Sequence, residues 1–251
     1  MRKSGFSLVE LVCALGITAV LAVLIASASL MAYRKSSLAI SANNLRQLAI
    51  GASSYLSENN YVFWKYRSAD PGGEPGVRWW FGFEPLASFS RPEGQRIFDP
   101  DRGPLGGYVP AGIRPDPSLV SGGKAFKPKY QFGYIGVGYN ALLGGGAMGL
   151  GESLSYWSLG RPSKIVVFAT SAQINTFQRP ATPSNPMLEE FYLLDDRETT
   201  VHFRHNGHAM VAFADGSAGF LPIDESTRDN RAPQANVGRF APVGSAKYLL
   251  P

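Results

Sequence analysis

From Leu11 to Met31 the chain runs for 21 residues without a charged side chain, and no other stretch constrains its folding as strongly. As a helix rising ~1.5 Å per residue, such a run spans the ~30 Å hydrocarbon layer of a bilayer. Its polar members, Thr18, Ser27 and Ser29, are small and can hydrogen-bond back onto their own helix. Two cations, Arg2 and Lys3, precede the run, and one carboxylate, Glu10, stands at its start. An acid in a membrane helix costs roughly 2.5 kcal/mol or more and is seldom left without a partner. A lone helix is expected to offer none. The partner is then expected from another chain, and an amino terminus freed just after Gly5 would supply the cation.

The order Gly5-Phe6-Ser7-Leu8-Val9-Glu10 ahead of the apolar stretch closely resembles the processing site of type IV prepilins and type II secretion pseudopilins. The resemblance implies that a prepilin peptidase cuts between Gly5 and Phe6 and methylates the new N-terminal Phe6. It makes Glu10 the carboxylate that meets a neighbouring subunit's terminus during filament assembly. It also places the leader in the cytoplasm, a single span in a bacterial inner membrane and the bulk of the chain on the periplasmic side. Counting cations leaves that orientation open, because Arg2 and Lys3 face Arg34 and Lys35 across the span. A secretory signal cut near Ala26-Ser27-Ala28, or a plain uncleaved anchor, would share the apolar run but would not need Glu10.

The 251 residues suffice for one anchor and one medium-sized domain. With 28 glycines and 18 prolines, that domain is expected to be rich in loops. The single cysteine, Cys13, lies in the apolar run, so the outer domain has no internal disulfide. Losing Arg2 and Lys3 with a leader takes the formal net charge from +5 to +3, too weak a surplus to indicate nucleic acid.

Beyond Lys35 the pattern turns amphipathic. Leu38, Ala42, Leu45, Ala49, Ala52 and Leu56 recur at spacings of three and four, widened by Leu48 and Tyr55, with Ser41, Asn43, Arg46, Gln47 and Ser53 on the other face. No proline interrupts Phe6 to Glu58, so one helix can run through both halves and end at Ser57-Glu58-Asn59-Asn60. Gly51 inside the stripe reads as a place of close packing. Ser41-Ala42-Asn43-Asn44-Leu45-Arg46-Gln47 resembles a segment of a pilin-like family in which a cysteine usually stands where this chain has Ser41. Many pilins also carry a proline where this chain has Ser27.

Residues 61–129 are dense in turn signals and aromatics and resemble the variable insert of pilins. Trp64, Trp79, Trp80, Phe81 and Phe83 are expected to anchor loops to a small core rather than to form a glycan platform. The clearest buried strand is Ile165–Ala169, with a shorter one at Phe191–Leu194. The glycines of 133–151 follow no strand into a helix and read as turns, not a phosphate cradle.

A second motif lies at His202-Phe203-Arg204-His205-Asn206-Gly207-His208, followed by an apolar strand, Asp215-Gly216 and a returning strand. This reads as a hairpin. His205, nine intervening residues and then Asp215-Gly216 resemble the C-terminal signature of prepilin-type proteins. Contact between His205 and Asp215 would need a bend at Asn206-Gly207, and the expected roles are structural. The sharper alternative is a metal site, zinc or calcium, drawn from His202, His205, His208, Asp195, Asp196 and Asp215, with Asp195 and Asp196 the candidates for calcium. No nucleophile elbow, P-loop or HExxH pattern is present.

The fold expected is α+β and pilin-like, with a long N-terminal helix packed on a small antiparallel sheet with loop-rich inserts. Its segments are a leader at 1–5, a membrane half-helix at 6–33, an amphipathic half at 34–58 and an outer domain at 59–251. Within the last lie the insert 61–129, strands at about 130–222 and a tail at 224–251 docked by Tyr248–Leu250. The function expected is that of a non-enzymatic filament subunit without a cofactor. Its partners would be other pilin-like subunits, a prepilin peptidase and the inner membrane. A tethered envelope protein using the aromatic insert or the histidine cluster is the alternative.

Overall fold

The computed structural model describes residues 7–109, 115–120, 125–131 and 135–251. The chain divides into two units, Met1–Ala39 and Ile40–Pro251. One helix, Leu8–Glu58, passes through both. In the first unit its apolar side chains are exposed throughout, Leu8 at 78% and Val23 at 68%. A soluble globular domain does not leave such a run uncovered. By length and composition the helix can cross a membrane.

In the second unit the helix buries Leu45, Leu48, Ala49, Ala52 and Leu56, the spacing that the sequence pattern requires. The stripe differs at its start. Leu38 is exposed, whereas Ser41 and Asn44 are buried. The helix stops after Glu58 because Asn60 and Tyr61 turn left-handed at φ 53° and 56°. The Tyr61 N–H then bonds the Leu56 carbonyl at 2.8 Å, satisfying one of the last carbonyls. Gly51 lies where the chain at Tyr108 and Val109 presses on the helix. A Cβ there would sit 2.5 Å from Val109 Cγ2 and 3.1 Å from the Tyr108 carbonyl oxygen.

The helix packs on a five-stranded sheet in the order Ala218–Pro222, His208–Phe213, Val166–Thr170, Val137–Asn140 and Leu193–Leu194. All neighbours are antiparallel except the last pair. Both faces are covered, which is why Ala209-Met210-Val211-Ala212 is apolar without alternation. Met210 and Ala212 join the helix side with Leu45, Trp64, Trp80, Tyr139 and Phe168. Ala209 and Val211 join the far side with Phe203, Phe240 and Leu249. The tail supplies that far cover. Asn140 Nδ2 donates to the carbonyls of Val166 at 2.8 Å and Leu249 at 2.7 Å, and the Val166 N–H donates to the Tyr248 carbonyl at 2.7 Å.

Strands are not confined to 130–222. The insert forms a three-stranded sheet of Arg67–Ser68, Gly76–Trp79 and Gly82–Pro85. The tail adds Val237–Gly238 against Val201–His202. The insert aromatics serve the core: Trp64, Trp80, Phe81 and Phe83 are buried. The insert's polar anchor is Glu84, fully buried, which accepts from Arg96 Nε and Nη2, both at 2.8 Å, and from Ser88, Trp79 and Tyr130. A further sheet pairs Phe126–Lys127 and Gln173–Asn175 on either side of Met187–Glu189.

Candidate functional site

Gly5 and Phe6 lie outside the described residues. The described helix begins with Ser7 and Glu10 facing one another. The Ser7 N–H and hydroxyl donate to Glu10 Oε2 at 2.8 and 2.9 Å, and the Glu10 N–H donates to Ser7 Oγ at 3.2 Å. This is a capping box, a serine and a glutamate three residues on satisfying each other's free backbone groups. It corrects the expectation that a lone helix offers Glu10 no partner. The cap hydrogen-bonds the carboxylate and sets it at the positive end of the helix dipole. Among the described residues no cation pairs with the carboxylate. From Leu11 to Met31 the rest of this segment is apolar, small or weakly polar, so Glu10 is its only formal charge.

The C-terminal motif forms two consecutive tight turns. Asn206 and Gly207, at φ 53° and 77°, carry the chain from His205 to His208, whose backbones exchange hydrogen bonds of 3.1 Å each way. The next turn follows at Ala214-Asp215-Gly216, with Gly216 at φ 84° and the Phe213 N–H bonded to the Ser217 carbonyl at 2.8 Å. Asp215 Oδ1 accepts from the Ser217 N–H at 2.9 Å and the Ser217 hydroxyl at 2.6 Å, fixing the turn from within.

The register pairs His208 with Pro222 at one end of this hairpin and Ala212 with Ala218 at the other. His205 and Asp215 are therefore held at opposite ends. The bend at Asn206-Gly207 does form, but it leads away from Asp215. The His205 ring meets Phe220 edge-on with centroids 6.1 Å apart, and its buried Nε2 has no hydrogen-bond partner among the described residues. Burial, then the nearby Arg204 charge, push the His205 pKa down to about 4, so the ring is neutral at physiological pH.

The histidines and acids considered for a metal are dispersed. His202 is buried in the short Val201–His202 strand, while His208 is exposed with Nδ1 at 3.0 Å from the Asn206 carbonyl. Asp195 Oδ1 accepts from the Arg197 and Glu198 N–H groups at 2.9 and 2.6 Å. The Asp196 carbonyl accepts from the Gly244 N–H. Among the described residues no group of three or more His, Cys, Asp or Glu side chains is arranged to hold a metal ion.

A different constellation joins the two motif regions. Asp116, fully buried between two prolines, accepts from Ser41 Oγ at 2.5 Å and from Arg204 Nη2 at 2.7 Å. Its other oxygen accepts from the Ser118 N–H at 2.9 Å and hydroxyl at 2.5 Å. Arg204 also donates from Nε to Ser118 Oγ at 2.9 Å, from Nη2 to the Gly136 carbonyl at 2.8 Å and from Nη1 to His202 Nδ1 at 3.3 Å. Burial would raise the Asp116 carboxyl, but Arg204 and the serine hydrogen bonds outweigh it and hold the group below the ordinary carboxylate range. Ser41 of the helix motif and Arg204 of the C-terminal motif are thus clamped to one carboxylate. The helix pattern puts Ser41 on the face opposite the apolar stripe, yet the side chain is buried. The available signal was an acid locked between Pro115 and Pro117, and a lone arginine entering an apolar strand.

The family model for the prokaryotic N-terminal methylation motif matches residues 1–26. No curated protein and no solved structure matches the chain. The matched motif supports a type IV pilin-like protein, a substrate of prepilin peptidase and a structural subunit. Together with the apolar N-terminal helix it fits an inner-membrane-anchored pilin.

Proposed function

We propose that this pilin-like chain is a subunit of a filament of the type IV pilus or type II secretion kind, held in the inner membrane by its helix until it assembles. In this reading prepilin peptidase cuts after Gly5 and methylates Phe6, and residues 59–251 lie on the periplasmic side. The carrying observation is the exposed apolar stretch from Leu8 to Met31, whose one charge, Glu10, is hydrogen-bonded by its own cap and has no cation beside it among the described residues. In lipid an ionised carboxylate remains costly by roughly 2.5 kcal/mol or more. The N-terminal amine of another subunit's Phe6 removes that cost only when the subunits meet, so the acid makes assembly, rather than insertion, the favoured state. Helix packing supplies the rest.

Replacing Glu10 with Ala or Gln tests this directly. Both variants are expected to stay in the membrane fraction and to be processed, but to yield no cross-linked oligomers. Normal oligomers from either variant overturn the role of the carboxylate.

A further inference from the structure

We propose that the outer domain carries an internal amide cross-link between Lys127 Nζ and Asn175 Cγ, formed by the protein itself with Glu189 as the proton carrier. The three residues converge from three adjacent strands, because Lys127 and Gln173 both stand opposite Glu189 in register and Asn175 lies two residues beyond Gln173. Lys127 is 2% exposed, and Asn175 and Glu189 are fully buried, so water is kept from competing.

The groups that the reaction uses gather around one carboxylate and one amide. Lys127 Nζ, the nucleophile, lies 2.7 Å from Glu189 Oε1. Asn175 Nδ2, the leaving nitrogen, donates to Glu189 Oε2 at 2.9 Å. Asn175 Oδ1, where negative charge would develop, accepts from the N–H groups of Phe177 and Gln178, both at 3.0 Å, which is the geometry of an oxyanion hole. Lys127 Nζ and Asn175 Nδ2 also share Gln178 Oε1 as an acceptor, at 3.3 and 2.9 Å, so two common partners draw them together. Glu93 Oε2 holds the resting ammonium at 2.8 Å from the outer side.

The balance is complete without any further reagent. Glu189 takes one proton from the Lys127 ammonium. The free amine attacks Cγ of Asn175, the Nζ–Cγ bond forms and the Cγ–Nδ2 bond breaks. A second Nζ proton passes to the departing nitrogen, which leaves as ammonia, while the third stays on the new amide. Burial pushes the Glu189 carboxyl up, but Lys129, at 3.9 Å, and hydrogen bonds from Lys127 and Asn175 bring it below the ordinary range. The proton-transferred pair is therefore the minor form, which suits a slow, single maturation event rather than turnover. A buried ion pair is a poor source of stability by itself, whereas a covalent link between the flanking strands replaces the disulfide that a domain without cysteine lacks.

Intact-mass and peptide-mass measurement of the full chain, purified in detergent, tests the proposal. The chain is expected to be about 17 Da lighter than its processed sequence, the mass of one ammonia, with Lys127 and Asn175 recovered in one branched peptide. Asn175→Ala and Glu189→Gln are expected to restore the full mass. Wild-type protein that keeps its full mass overturns the proposal. So does a mass loss that persists in Asn175→Ala, which would move the bond to Gln178.

Discussion

Replacing Asp116 with Ala removes the acceptor that holds the helix to the C-terminal motif. The variant leaves the Arg204 guanidinium, whose side chain is 3% exposed, buried without its counter-charge, and it removes a carboxylate that accepts from Ser41 and Ser118. Breaking one side of a buried pair in this way costs about 3–5 kcal/mol. For a folded unit of this size each kcal/mol moves the melting temperature by about 2–4 °C, so a fall on the order of 10 °C is expected. Thermal melts of the full chain in detergent, followed by near-ultraviolet circular dichroism, read this directly. The double variant Asp116→Ala with Arg204→Met is expected to recover much of the loss, because the stranded charge is gone. The carboxyl is held below its unfolded value, so its contribution is present above about pH 4 and is lost as pH falls through the folded value. The gap between wild type and Asp116→Ala should therefore narrow in acid. A deficit under about 1 kcal/mol at pH 7, or a double variant as unstable as the single one, would refute the reasoning.

His205 gives the opposite kind of titration from a basic group. Its folded pKa of about 4 lies below the ordinary value near 6.5, so protons bind the unfolded chain more readily. Stability is expected to fall between pH 6.5 and 4, and His205→Gln should flatten that part of the profile; an unchanged slope would exclude the ring as its source. Gly51→Ala is expected to destabilise by about 1 kcal/mol in denaturant titrations. The contact with Val109 and the Tyr108 carbonyl costs ~1–3 kcal/mol, against up to ~1 kcal/mol gained in helix propensity. A stabilised variant would show that the close approach is absent.

The parts of the fold that repeat locally were legible in advance. An uninterrupted apolar run, a three-and-four spacing from Leu45 to Leu56 and the run Ile165–Ala169 each announce one element, and Val166–Thr170 and the paired strands around Gly216 follow them closely. The Ser7/Glu10 box is also written locally, as a serine three residues before a glutamate. The buried polar start of the helix stripe was not legible. Ser41 is inside because Asp116, 75 residues away in sequence, accepts its hydroxyl hydrogen bond, and no periodicity encodes a partner at that distance. The insert sheet escaped for another reason. Gly76–Trp79 and Gly82–Pro85 are joined through Trp80-Phe81, which carry none of the usual turn residues because both rings are needed in the core. His205 and Asp215 were read as one signature, and only the hairpin register shows that they close opposite ends of it.

In the proposed assembly the helix is processed and Glu10 then pairs with another subunit's new terminus. Mass spectrometry and Edman sequencing of the chain from its native envelope test it most directly. A mature chain beginning at N-methylated Phe6 is expected; a chain that begins at Met1, at Ser29 or at any other residue rules the proposed processing out.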